Sequence, residues 1–296
     1  MAAPLLTRRA ALAGLTAGAT ALALPGLVRA QEARRLVIAG GDLTEMAFAL
    51  GLGEQVAAVD TTSMFPPAVL PLPKIGYLRQ LAAEGVLSTR PDLVILAADA
   101  GPPPTLDRLR AAGVQVEIGP EGDGPDAVSA KLAFMGRVLE REAEAEALNA
   151  RFLEQMAGLE ASLAGIEETP SVLCLLSAGR GAPMAAGTET AADVMITLAR
   201  GRNAVGGYTG YKPLSAEVAI AAAPDYLLLP QHAVDFLGGP EAILARPEIA
   251  ATPAGREGRL IALDGMKLLG FGLRTPQGVA ELASALHPGL DLEVPA

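Results

Sequence analysis

The side chains able to do metal or acid–base chemistry are few in this sequence. It holds two histidines, His232 and His287, one cysteine, Cys174, four tyrosines and no tryptophan. A zinc site built from several His and Cys ligands therefore lacks its parts. A Ser-His-Asp hydrolase would have to use one of the two histidines, and no G-x-S-x-G elbow is present. The Gly40-Gly41 pair is not a G-x-G-x-x-G nucleotide loop. Cys174 lies in the apolar run Val172–Leu176 without a disulfide partner, which marks an inert core thiol. His232 reads as a loop residue and His287 as surface. What remains are tyrosines at special places: Tyr77 in Gly-Tyr-Leu-Arg79, and Tyr208 and Tyr211 in Gly-Tyr-Thr-Gly-Tyr-Lys212.

Tyr77 and Tyr211 each sit just upstream of an internal echo. Residues 81–96, LAAEGVLSTRPDLVIL, match residues 214–229, LSAEVAIAAAPDYLLL, at a constant offset of 133. Leu81, Ala83, Glu84, Pro91, Asp92 and Leu96 recur as Leu214, Ala216, Glu217, Pro224, Asp225 and Leu229. Two similar lobes facing each other would enclose a ligand cleft, with Tyr77 and Tyr211 near its rims. Glu84 and Glu217 then become a pseudo-symmetric pair of acids, which suits a two-fold symmetric basic partner and steers its encounter. Glu45 has a plainer reading as first-turn helix charge.

The elements that must position these residues follow from hydrophobic pattern. Short apolar runs at 36–39, 56–59, 93–97 and 114–118 alternate with helical spacing at 42–50 and 105–112, the pattern of βα units and a mostly parallel sheet. Val128, Leu132, Met135 and Leu139, then Leu148, Phe152, Met156, Leu159 and Leu163, have helical spacing. They predict a long helical stretch, as one helix or as two abutting helices with EREAEAE between. After Pro170 the alternation resumes, with strands at 172–176, 226–229 and 260–263 and a helix at 191–198. The expected organisation is an α/β lobe at 31–127, a helical connector at 128–165 and a second α/β lobe at 166–296.

The 296 residues are 51% hydrophobic and 19% charged, which excludes a disordered chain and a disulfide scaffold. The formal charge of −10 argues against a nucleic-acid partner. Arg8-Arg9, an apolar stretch from Ala10 to Leu24 and the small-residue site Val28-Arg29-Ala30 predict an export signal cleaved after about Ala30. The stretch is short for a membrane span, so the mature chain is not expected to insert into a membrane. Alanines replace bulky residues after the twin arginines, so twin-arginine and general secretion both stay open. Loss of Arg8, Arg9 and Arg29 takes the charge from −10 to −13. The mature protein is expected in the periplasm.

Six segments in order carry a resemblance: IAGGDLTEMAFALG at 38–51, VDTTSMFPP at 59–67, GYLRQLAAEGVLSTRPDLVI at 76–95, PMAAGTETAADVMI at 183–196, GGYTGYKPLSAE at 206–217 and LLGFGLRTP at 268–276. From about Leu36 to Pro288 the chain resembles the substrate-binding proteins of bacterial haem ABC importers, relatives of the cobalamin- and siderophore-binding proteins. The resemblance implies two Rossmann-like lobes bridged by a long rigid helix, and a monomeric binding protein for iron uptake rather than an enzyme. Haem b is the implied ligand. Cobalamin, a ferric siderophore or another metal chelate is the alternative within the same fold. The implied partner is the transmembrane permease dimer of an ABC importer.

The resemblance makes Tyr77 the axial ligand of haem iron, with Arg79 beside it. A phenol has a free pKa of about 10, but a ferric ion and a nearby guanidinium favour the phenolate. Arg79, Lys212 and Arg274, and less directly Arg180, are candidates for the two haem propionates. Met64, Phe65, Met184, Tyr208, Tyr211 and Met266 are candidates for an apolar slot. Some family members place a His ligand where this sequence has Ala178. In the wider family each lobe docks on the permease through a carboxylate, and those positions fall on Glu84 and Glu217.

Overall fold

The computed structural model describes residues 34–177, 183–292 and 294. The leader, Ala178 and Arg180 lie outside the described residues. In the first half, β1 (Leu36–Ala39), α1 (Gly41–Ala49), β2 (Val56–Val59), α2 (Ala83–Ser88), β3 (Leu93–Leu96), α3 (Pro103–Ala111) and β4 (Gln115–Ile118) follow one another. Their strands form a parallel sheet in the order β2-β1-β3-β4. β1 and β3 are unbroken apolar runs because both faces are covered. Leu36, Ile38, Leu93 and Ile95 point to one core, while Val37, Ala39, Val94 and Leu96 point to another that α2 and α3 close.

Two helices follow, α4 (Pro125–Leu139) and α5 (Glu142–Leu163). The connector is thus a packed pair rather than one long helix. Glu140 takes a left-handed conformation at φ 57°, and the Arg141 N–H closes onto the Gly136 carbonyl at 2.8 Å. Gly136 permits the turn-back: a Cβ there would come within 2.7 Å of the Ala145 side chain.

The second half runs β5 (Ser171–Ser177), β6 (Met184–Ala186), α6 (Ala191–Leu198), β7 (Arg202–Asn203), β8 (Tyr211–Pro213), α7 (Ala216–Ala222) and β9 (Tyr226–Pro230). It ends with α8 (Gln231–Phe236), α9 (Pro240–Leu244), α10 (Pro247–Ala250), α11 (Pro253–Arg256), β10 (Leu260–Leu263), α12 (Gly265–Leu269) and α13 (Thr275–Leu286). Its sheet has the order β10-β9-β5-β6-β8, with β7 also paired to β5. β6 and β8 are antiparallel to their neighbours and form a ribbon.

One core runs through both halves. It joins the inner face of the first sheet, the apolar stripes of α4 and α5, and Val172, Cys174 and Leu228 of the second sheet. Burial pushes the Cys174 thiol up to about 12, so it is inert packing. Among the described residues no helix is long and apolar enough to cross a membrane.

Candidate functional site

All four strands of the first sheet deliver residues to the same edge, the carboxyl ends where open α/β sheets hold ligands. Asp42 and Glu45 follow β1, Phe65 follows β2, Asp99 follows β3 and Asp123 follows β4. The second half meets this edge with residues after β10: Asp264, Met266 and the 270–274 turn.

Tyr77 starts a tight turn over Leu78–Gln80. Gly76, at φ 101°, swings the chain into place before it. Leu78 is buried behind the tyrosine, and the Leu81 and Gly101 amides fix the turn at 2.8 and 2.9 Å. The phenol itself is 39% exposed. The Arg79 guanidinium donates to the Tyr77 hydroxyl oxygen and also pairs with Asp99. Burial weakens the Arg79 cation, but the Tyr77 hydrogen bond and Asp99 outweigh it, and its pKa ends above the ordinary value. Asp99 thus fixes the guanidinium, and the guanidinium fixes the phenol oxygen. Sequence reading missed Asp99, which lies twenty residues from Arg79 and carries no motif.

The segment after β2 is tied to this turn by the Thr61 N–H on the Gly76 carbonyl at 2.9 Å, and it carries exposed apolar side chains. Met64, Phe65 and Leu70 are exposed, at 55%, 40% and 51%. Asp60 fixes the start of this segment: its buried carboxylate accepts from Gly40 N (3.0 Å), Thr62 N (2.8 Å), Thr62 Oγ1 (2.6 Å) and Ser63 Oγ (2.7 Å). Lys74 adds a bond to the Ser63 carbonyl at 2.9 Å. Large exposed apolar side chains on a fixed loop make this segment a candidate binding surface.

Arg274 lies on the floor beneath them, its Cζ 4.1 Å from the centre of the Phe65 ring. Glu45 holds it: Nε is 3.1 Å from both carboxylate oxygens and Nη2 is 2.5 Å from one. Asp264 is 3.4 Å from the same nitrogen. The first-turn reading of Glu45 is corrected here, because the side chain is buried and spent on this ion pair. Burial pushes the Glu45 carboxyl up, and the two-point contact with Arg274 opposes that push without cancelling it. Burial pulls Arg274 down, yet Glu45 more than compensates.

The second half holds the other expected residues in two groups. Lys212 Nζ lies 5.0 Å above the Tyr208 ring, and the Tyr208 hydroxyl donates to the Ala185 carbonyl at 3.2 Å. Both line a surface cavity of about 530 Å³ with Val205, Leu214 and Val218. None of its lining residues comes from the first half. Met184 is half-buried in the ribbon beside them. Tyr211 differs from the rim position expected for it. Its hydroxyl turns inward onto Thr190 and the Ala192 N–H at the start of α6, and burial pushes it up to about 12. His232 lies in the first turn of α8 against Gly265, and the His287 ring is tied to the Ala199 carbonyl at 3.2 Å.

The echo is structural. Glu84 and Glu217 are both exposed in the first turn of α2 and α7. Asp92 Oδ2 accepts from the Arg35 N–H and Asp225 Oδ2 from the Ser171 N–H, each at 2.8 Å.

A family model described as periplasmic binding protein matches residues 36–266. The chain belongs to this family. Among solved structures, the periplasmic haem-binding protein RhuT from Roseiflexus sp. RS-1, in apo form, is 41% identical with a TM-score of 0.83, covering 86% of this chain and 100% of that one. BhuT in complex with two haems is 40% identical with a TM-score of 0.81, covering 86% and 99%. The ABC transporter substrate-binding lipoprotein YvrC of Bacillus subtilis is 24% identical over 267 residues, 87% of this chain and 81% of that protein. The two-lobed architecture of this binding protein is that of its solved relatives.

Proposed function

We propose that this protein captures haem in the cleft between its halves, in the periplasm, and delivers it to the permease of an ABC importer. The observation that carries the reading is the Tyr77–Arg79–Asp99 chain, tied to a segment with exposed apolar side chains. Haem asks for one strong oxygen ligand, an apolar wall and cations for its carboxylates. Tyr77 supplies the ligand, and Arg79 stabilises its phenolate through the hydrogen bond already made. Met64 and Phe65 supply the wall. Arg79 offers charge to the propionates, Arg274 reaches them by giving up part of its hold on Glu45, and Lys212 joins them by swinging away from the Tyr208 ring and the second half's own cavity. Met184, Tyr208 and the ring of Tyr211 belong to the second half's side of the pocket. Affinity, retention and hand-over are the function; no bond of the ligand is made or broken.

Glu84 and Glu217 are the proposed docking pair on the two lobes of a monomer, placed by the echo at equivalent helix starts. The proposed division is a first lobe at 31–127, the connector at 128–165 and a second lobe at 166–296, after an export signal ending near Ala30. Mixing the mature chain with haemin should give the charge-transfer band of a ferric phenolate. A spectrum identical to free haemin, with cobalamin or a ferric siderophore bound instead, would move the ligand to another chelate of the same fold.

A further inference from the structure

Two buried ion pairs lie where the halves meet, and neither includes Tyr77. In the first, Lys131 of α4 stands on the apolar stripe of its helix with only 10% of its side chain exposed. Its ammonium reaches Asp42 at 2.7 Å, the Gly270 carbonyl at 3.2 Å and the Phe271 carbonyl at 3.3 Å. A lysine has three N–H donors, and these partners use all of them. Asp42 belongs to the first half and the two carbonyls to the second. In the second pair, Glu45 of the first half holds Arg274 of the second.

We infer that these two pairs are a clamp that sets the resting width of the cleft and confines the halves to a small twist. Buried ion pairs add little net stability, but a partner left unpaired in the interior is strongly unfavourable. Such pairs therefore define one relative placement sharply: a separation larger by an ångström or two strands Lys131, Asp42 and Glu45 in the interior. The backbone supports the same placement. Phe271 is a fully buried non-glycine residue at φ 43°, a left-handed conformation kept only where surroundings over-determine it. That conformation turns the carbonyls of 270 and 271 toward Lys131. Gly272 brings the backbones together: a Cβ there would lie 3.3 Å from both Cα and Cβ of Asp42. Gly41 does the same opposite Met266, whose thioether methyl would stand 2.8 Å from an added Cβ. The clamp also gives a physical role to Gly41, Asp42 and the 270–272 backbone, which the ligand reading does not use.

Spin labels on Ser88→Cys in α2 and Glu241→Cys in α9 report the separation of the halves by pulsed electron resonance. Cys174 is fully buried and stays unlabelled. No ligand is present, so the result stands whatever the cleft carries. The expected parent distribution is single and narrow. In the Glu45→Gln, Lys131→Met double variant it broadens and shifts to longer distance. Asp42→Asn, which keeps the shape of the side chain and removes the charge that Lys131 faces, produces a smaller shift of the same sign and decides the matter if the double variant does not fold. Distributions superimposable on the parent in the folded variants would overturn the clamp.

Discussion

The two halves were built on one plan and used differently. Glu84 and Glu217 open equivalent helices, and Asp92 and Asp225 tie equivalent strands by the same carboxylate-to-amide bond. The tyrosines upstream of these elements part company. Tyr77 follows a left-handed glycine into an exposed turn, where Arg79 supports its oxygen. Tyr211 is in a strand, and its hydroxyl is consumed inside its own lobe. A repeated scaffold thus conserves what the permease would meet and varies what the ligand would meet. A positive-φ glycine precedes both tyrosines, Gly76 and Gly210; the physical lever is the residue two positions on, Arg79 beside Tyr77 and Pro213 beside Tyr211.

The comparison can be broken at several levels. The largest expected effect concerns whether the halves are independent at all. Phe152 sits in the core they share, and Phe152→Ala should cost about 3–5 kcal/mol in chemical denaturation. The parent should unfold in one transition; two separated transitions would show that the halves do not share a core. Next comes the support of the phenol. Arg79→Leu should weaken haemin binding by about tenfold, or ~1.4 kcal/mol, while Lys212→Leu does less; the reverse order would shift the site into the second lobe. The docking acids come third. Glu84→Gln and Glu217→Gln should each lower permease-coupled transport by a few-fold, equally and less so at high salt, with haemin affinity unchanged. Unequal effects would mean that the pseudo-symmetry does not extend to the partner.

The smallest effect is a slope in stability with pH. The Tyr211 hydroxyl loses its proton near 10 in the unfolded chain but only at about 12 in the fold. The unfolded chain therefore holds fewer protons in that window, and stability falls as pH rises through it. Tyr211→Phe should flatten the fall, and Tyr208→Phe should not match it; an unchanged slope would place the Tyr211 hydroxyl in water.

Much of the architecture was legible because burial on both faces leaves a plain record. LVIA at 36–39 and LVIL at 93–96 read as buried strands and are so. The three-residue strands β6 and β8 were not legible, since three residues show no period. Two abutting helices were one reading of the stretch around EREAEAE, but the break could not be placed at Glu140: every residue there suits a helix, and the turn-back is decided by Gly136 packing on Ala145. At the site, Tyr77 and Arg79 were legible as neighbours in sequence. Asp99 and Glu45 were not, because their partners Arg79 and Arg274 lie 20 and 229 residues away in sequence. Lys131 left a trace that pattern reading passed over, a charge on the apolar stripe between Val128 and Met135. A lysine there must be paired, and only the fold says with what.

The most direct test of the central claim is a side-by-side haemin titration of the parent, Tyr77→Phe and Tyr211→Phe, recorded as full spectra. The expected result is a ferric phenolate band in the parent and in Tyr211→Phe, and its loss in Tyr77→Phe with binding weakened by about a hundredfold, or ~2.8 kcal/mol. A phenolate band that persists in Tyr77→Phe and disappears in Tyr211→Phe would contradict the account.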